Sequence, residues 1–363
     1  MQFPTLIKMA NLNLSDIIRP NIRDLVPYSS ARNEFSGMGS VLLDANESPY
    51  NQPYNRYPDP LQKALKSKIS KIFTVGEDSV FLGNGSDEAI DLLIRAFCIP
   101  GNDKIISIDP SYGMYEVCAR INDIETKKVL LNPDFSLDSS AVISAVDKFC
   151  KLIFLCSPNN PTSNLLEKEQ ILRIVKNFNG LVILDEAYID FSGSEGLIVY
   201  LDDYPNLVIL RTFSKAWGLA GVRLGMAFGD PQLVSVLNKI KYPYNINILT
   251  QNHVINHIDM ASDILNWTSE IIEQRNILSS ELRKFKFVFK VYPSDANFLL
   301  VKTTNPGGIY TFLRDAGLVV RDRSKVSLCE GCLRITVGSP DENKKLLHSL
   351  TKYDQIYDLK TLA

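Results

Sequence analysis

Residues 206–225, NLVILRTFSKAWGLAGVRLG, decide how this chain is read. The run 206–210 is short and apolar, the pattern of a strand buried on both faces. The segment after it, RTFSKAWGLAG, sets one lysine, Lys215, among hydroxyls, small residues and apolar bulk, with Arg223 close behind. A lysine on a surface loop is ordinarily solvated. Here Phe213, Ala216, Trp217 and Leu219 surround it, which lowers its pKa and favours attack on an aldehyde to form an imine. Thr212, Ser214 and Arg223 offer two hydroxyls and a guanidinium to a phosphate beside it.

Similar apolar runs recur upstream at 80–82, 104–108, 128–131, 152–156 and 181–184, and downstream at 226–228. Amphipathic helical segments such as 87–97 and 168–177 lie between several of them. Strands alternating with helices predict an α/β fold, a mostly parallel mixed sheet covered on both faces. Ligands of such sheets bind outside the carboxyl ends of the strands. From 231 to 282 the pattern is helical, interrupted by Tyr242-Pro243-Tyr244. Strands at 288–292, 298–301, 319–321 and 332–337 and helices at 307–316 and 342–350 then predict a smaller α+β domain. The first fifty residues carry Pro20, Pro27 and Pro49 with little periodicity, and read as an arm plus a short strand at 40–44. The expected division is an arm and part of the small domain at 1–50, a large cofactor-binding domain at 51–260 and a small domain at 261–363.

Composition narrows the class. At 363 residues the chain holds one large domain and a satellite, or two domains. A net charge of −2 gives no basic surplus for a nucleic-acid or membrane partner, while a local arginine cluster for small acidic substrates remains compatible with it. No apolar run approaches a membrane span and the N-terminus does not read as a signal peptide, so a cytoplasmic protein is expected. Cys98, Cys118, Cys150, Cys156, Cys329 and Cys332 lie mostly in apolar runs, as reduced buried thiols do. Cys329 and Cys332 form a lone CxxC, short of the four ligands of a zinc site, so no metal is expected.

Three other strand ends add chemistry. After 80–82 comes Gly83-Asn84-Gly85-Ser86-Asp87-Glu88 and then a helix. Glycines admit a ligand close to the backbone, and a helix N-terminus favours an anion. The Gly85, Ser86 and Asp87 amides are the expected donors, with the Asp87 carboxylate turned away. After 152–156 comes Ser157-Pro158-Asn159-Asn160-Pro161-Thr162, where Asn160 offers an amide. After 181–184 comes Asp185-Glu186-Ala187-Tyr188. A carboxylate ending a buried strand is costly unless paired, and a protonated pyridine nitrogen is a suitable partner. Tyr188 is spaced to reach the ring's phenolic oxygen, and Tyr112, after the strand at 104–108, is a candidate to stack on the ring. Aldehyde, phosphate and pyridine together describe pyridoxal 5′-phosphate. Each motif alone has an ordinary reading as a turn, a helix cap or core packing.

With these residues in view, the chain resembles the fold-type I pyridoxal-phosphate aminotransferases. The motifs run in family order over nearly its whole length: Leu43-Asp44-Ala45-Asn46-Glu47-Ser48-Pro49, Asn55-Arg56-Tyr57-Pro58-Asp59-Pro60, the four strand-end motifs, Gly221-Val222-Arg223-Leu224-Gly225 and Cys332-Leu333-Arg334-Ile335-Thr336-Val337-Gly338. The arm segment 26–32 and the context of Arg334 point to the histidinol-phosphate subgroup. The resemblance implies a homodimeric transaminase with Lys215 as the cofactor lysine and proton carrier. It pairs Asp185 with the pyridinium, sets Asn160 and Tyr188 on the ring oxygen and stacks Tyr112 on the ring. Ser86, Asp87, Ser214, Arg223 and, less firmly, Thr212 would bind the phosphate. Tyr57 would reach into the neighbouring subunit's site. Arg334 and Arg321, with Tyr28, would grip the substrate's anionic end. An aromatic amino acid aminotransferase, a threonine-phosphate decarboxylase and a cofactor-binding regulator without activity remain as alternatives. One departure stands out: Ser163 occupies a position where the family usually has glycine.

Overall fold

The computed structural model describes residues 14–27 and 41–361. Seven strands form the larger sheet: β1 (Val80–Asn84), β2 (Lys104–Asp109), β3 (Glu125–Leu130), β4 (Cys150–Cys156), β5 (Leu181–Asp185), β6 (Leu207–Thr212) and β7 (Leu224–Phe228). Their order is β1-β7-β6-β5-β4-β2-β3. Only β7 runs against the others, pairing antiparallel with both β1 and β6. The remaining strands therefore end on one edge.

The central strands are apolar without alternation because both faces are covered. Along β4, β5 and β6, successive residues enter opposite cores, as the two-residue period of a strand requires. Ile153, Leu155, Val182, Leu184, Leu207 and Ile209 face one core. Phe154, Cys156, Leu181, Ile183, Val208 and Leu210 face the other, against helices Ser86–Phe97 and Pro231–Ile240. β3 begins three residues before the expected run. It is an edge strand, so its polar Glu125, Thr126 and Lys127 escape a reading based on apolar runs.

Four antiparallel strands form the smaller sheet: β8 (Val288–Val291), β9 (Phe298–Thr303), β10 (Arg321–Asp322) and β11 (Cys332–Thr336), in the order β10-β11-β9-β8. Helices Ala261–Leu282, Pro306–Asp315 and Pro340–Thr361 accompany it, and Leu278, Leu313, Leu333 and Leu350 share its core. The strand expected at 40–44 is not formed. Residues 41–44 belong to neither sheet, and Val41 and Leu43 stay exposed with no ladder to join. All six cysteines are buried free thiols, and burial pushes Cys329 up to about 12 and Cys332 to about 11. Among the described residues no helix is long and apolar enough to cross a membrane.

One glycine fixes how β7 meets the first helix. A Cβ on Gly225 would land on the backbone nitrogen of Ser86. Only a residue without a side chain lets the helix N-terminus sit this close to the sheet.

Candidate active site

The shared strand edge gathers the expected residues around one cavity. Gly85, Ser86 and Asp87 follow β1, Tyr112 follows β2, Asn160 follows β4, and Asp185 and Tyr188 lie at the end of β5. Thr212, Ser214 and Lys215 follow from β6, and Arg223 precedes β7. Cys156 and Ala187 complete the lining.

The lysine segment is a turn braced by its own residues. The Phe213 amide donates to the Leu224 carbonyl (3.1 Å) and the Leu219 amide to the Phe213 carbonyl (3.0 Å). The Phe213 and Trp217 rings pack edge to face at 4.9 Å. The Thr212 hydroxyl accepts from the Ser214 amide (3.0 Å) and donates to the Leu224 carbonyl (3.4 Å), so it shapes the turn from within. Lys215 Nζ lies 5.3 Å from the Tyr188 ring centre. Burial lowers its pKa, with Arg334 and Arg223 adding to that and Asp185 and Asp87 opposing it. A lysine whose ammonium is destabilised in this way gives up its proton more readily and so serves better as nucleophile and base.

Asp185 is buried and its pKa is pushed up to about 6 by burial. Two donors oppose the shift: the Tyr115 hydroxyl at 2.7 Å and the Ala187 amide at 3.1 Å. Tyr115 carried no role in the sequence reading. It lies on the first turn of the helix Met114–Ile121, three residues after Tyr112. The two rings meet edge to face at 5.6 Å, and Tyr115 stacks on Phe154 at 4.9 Å. Next to Asp185, Glu186 turns into the opposite core, where it pairs with Arg211 at 2.8 Å and accepts from the Leu197 amide. That buried pair anchors the base of the lysine segment.

The anion cradle differs from expectation in two details. The Gly85 amide is taken by the Arg223 carbonyl at 2.8 Å, which leaves the Ser86 and Asp87 amides at the helix start, where no side chain caps them. The Asp87 carboxylate is not turned away. It accepts from the Tyr112 hydroxyl (3.2 Å) and lies 3.7 Å from Arg223, a cation that offsets its repulsion of an anion. Gly85 has φ of +79°, and a Cβ there would sit 2.5 Å from Arg223 Nη2. The two uncapped amides, Ser214 and Arg223 suit a phosphate. A carboxylate, a hydroxyl beside an amide, and an aromatic ring suit a hydroxypyridine. The donor set fits pyridoxal phosphate.

A second cavity of about 490 Å³ opens from the first, sharing Tyr112, Asn160, Tyr188 and Lys215 and adding Arg321, Arg323 and Arg334. Asn160 Nδ2 is 3.5 Å from the Tyr188 hydroxyl, and Arg334 Nη1 donates to Asn160 Oδ1 at 2.6 Å. Asn159 plays a different part: buried, it bonds the Pro110 carbonyl and Thr162, and so holds the loop. Ser163 has φ of +67°, the left-handed region where serine is strained by about 1 kcal/mol. Its hydroxyl donates to the Thr162 carbonyl and reaches Pro293, and its carbonyl accepts from the Asp295 amide at 2.7 Å. Arg323 was missed in sequence. The signal was its i, i+2 spacing from Arg321 on a strand.

Tyr57 is not brought to the Lys215 cavity of its own chain. It is half-exposed, stacks on Tyr244 at 4.5 Å and lines a separate groove with Glu47 and Asn247. Tyr28 lies outside the described residues.

With this geometry, three comparisons are informative. The profile of the aminotransferase class I and II family matches residues 31–350. A histidinol-phosphate aminotransferase of Parabacteroides distasonis is 53% identical over 338 residues, 93% of this chain and 98% of the relative. The crystal structure of the histidinol-phosphate aminotransferase from Clostridium acetobutylicum superposes with a TM-score of 0.77 at 26% identity, covering 83% of this chain and 91% of that one. The Sinorhizobium meliloti enzyme, solved in complex with pyridoxal 5′-phosphate, shares the fold at a TM-score of 0.76 and 21% identity, over 83% of each chain. The chain belongs to the class I and II aminotransferases and, within them, to the histidinol-phosphate aminotransferase family.

Proposed function

We propose that this chain binds pyridoxal 5′-phosphate and transfers the amino group of L-histidinol phosphate to 2-oxoglutarate. The products are 3-(imidazol-4-yl)-2-oxopropyl phosphate and L-glutamate, a step of histidine biosynthesis carried out by a homodimer in the cytoplasm. The observation that carries the reading is the junction of two cavities at Lys215. One holds the cofactor set, and the other ends in arginines able to take a phosphate ester or a carboxylate in pairs.

When bound, the cofactor supplies an electron sink for the pair left as a proton leaves the substrate carbon. The residues around it do the rest. Asp185, oriented by Tyr115, holds the ring nitrogen protonated. Tyr188 and Asn160 orient the ring oxygen, and Tyr112 covers the ring face. The Ser86 and Asp87 amides, Ser214 and Arg223 hold the phosphate, with Thr212 bracing Ser214. Lys215, its ammonium destabilised by burial, would take the proton from the substrate carbon and carry it within the site. Arg334 and Arg321 grip the anionic end of each substrate in turn, and Tyr57 enters the site of the second subunit.

The test is a single-turnover spectrum. Cofactor-loaded protein should be yellow, and L-histidinol phosphate should bleach the visible band within one turnover. Faster bleaching by phenylalanine would establish an aromatic aminotransferase instead, and carbon dioxide release from threonine phosphate would establish a decarboxylase.

A further inference from the structure

Arg321 stands opposite Arg334 in the β10–β11 pairing. The Arg323 amide extends that pairing by donating to the Cys332 carbonyl at 2.9 Å. Extended backbone places Arg321 and Arg323 on the same face, so three guanidiniums meet at the second cavity. Like charges opposed across a sheet destabilise it unless something neutralises them. Among the described residues none of the three forms an ion pair. The Nε atoms of Arg323 and Arg334 are buried without a hydrogen-bond partner. Arg334 already commits Nη1 to Asn160. Burial and the two neighbouring arginines hold the Arg323 guanidinium below its ordinary pKa, a further sign of uncompensated positive charge.

A carboxylate presents two oxygens and one charge, which two guanidiniums satisfy. A phosphate monoester presents three terminal oxygens and close to two charges at neutral pH. We propose that Arg323 is a third guanidinium of the substrate pocket, and that it selects a phosphate dianion over a carboxylate. This deepens the reading of the substrate given above and rests on it for the identity of the phosphate ester.

The experiment uses cofactor-loaded protein and the variants Arg323→Gln and Arg323→Lys. Half-reactions with histidinol phosphate and with glutamate are titrated separately by the visible band, and inorganic phosphate and acetate binding are measured by calorimetry. Arg323→Gln should raise half-saturating histidinol phosphate about tenfold or more and weaken inorganic phosphate similarly, the loss of one charged hydrogen-bonding group. The limiting rate should hold within about twofold and half-saturating glutamate within about threefold, since neither depends on the third guanidinium. Arg323→Lys should fall between, keeping the charge and losing the planar fork. Equal losses with both substrates would overturn the proposal, as would unchanged phosphate binding. So would a slower limiting rate with a shifted visible band, which would mean that Arg323 acts through Tyr188. If histidinol phosphate fails to bleach the unaltered protein while Arg323→Gln still loses inorganic phosphate, the substrate reading falls and the pocket assignment survives.

Discussion

Asp185 shows how one residue trades stability for binding. Burial lifts its carboxyl from 3.8 to about 6. The folded, cofactor-free protein therefore holds that proton more tightly than the unfolded chain does. Its stability falls as pH rises from about 4 to about 6, by on the order of 3 kcal/mol for a shift of about two units. A cationic ring nitrogen removes that penalty. Asp185→Asn should accordingly raise the melting temperature of cofactor-free protein at pH 8, leave it nearly unchanged at pH 4, and lower turnover of loaded protein by about 100-fold or more. Differential scanning calorimetry at the two pH values checks the first part, and a melting temperature at pH 8 no higher than the parent's would sink it. The residue types lining the Lys215 cavity were legible in sequence because each follows or ends a strand and carries its own chemistry. Tyr115 and Arg323 were not, because their roles arise from a neighbour: Tyr115 matters through the carboxylate it donates to, and Arg323 through two arginines brought alongside by strand pairing. The Asp87 orientation was misjudged for the same reason, since its partners Tyr112 and Arg223 come from loops after other strands.

At the level of elements, the seven strands of the larger sheet were visible as apolar runs wherever both faces are buried. The reading missed the start of the β3 edge strand and placed a strand at 40–44 where none forms over 41–44. β3 opens on four polar residues, Glu125 to Lys128, and 41–43 is a continuous apolar run, Val41-Leu42-Leu43, that joins neither sheet. Hydrophobic pattern reports burial, and pairing needs a partner the pattern does not name. The join between β7 and the helix Ser86–Phe97 was readable only as a glycine in a motif. Its geometry makes a sharp demand, because a methyl group at 225 meets backbone, which cannot rotate aside. Gly225→Ala should cost about 2–3 kcal/mol in chemical denaturation and weaken cofactor binding, since the two amides proposed to hold the phosphate belong to the displaced helix end. A variant with parental stability and cofactor affinity would show that the helix can shift freely.

For the whole molecule, Tyr57 lies away from the Lys215 cavity of its own chain, where a second copy would have to supply it. Mixing inactive Lys215→Ala with Tyr57→Ala protein, after subunit exchange, should restore activity to about a quarter of the parent value. Random pairing makes half the dimers mixed, and each mixed dimer has one intact site. No recovery on mixing, with exchange confirmed by mass, would place Tyr57 in its own subunit's function. The two sheets were foreseeable from where strands stop and helices take over. What joins them was not, because Ser163 in place of glycine looked only like strain. Its hydroxyl and carbonyl tie the turn carrying Asn160 to 293–295, the connection between β8 and β9 of the smaller sheet. That turn is thereby tied to the smaller sheet, so a shift of that sheet would carry the Asn160 amide with it. With pyridoxal phosphate bound, occupancy of the arginine pocket should then change the colour of the protein before any bond is broken. Ser163→Gly should relieve about 1 kcal/mol of backbone strain yet remove the hydroxyl tie and weaken this signal. Inorganic phosphate would then shift the visible band of the parent protein further than that of the variant.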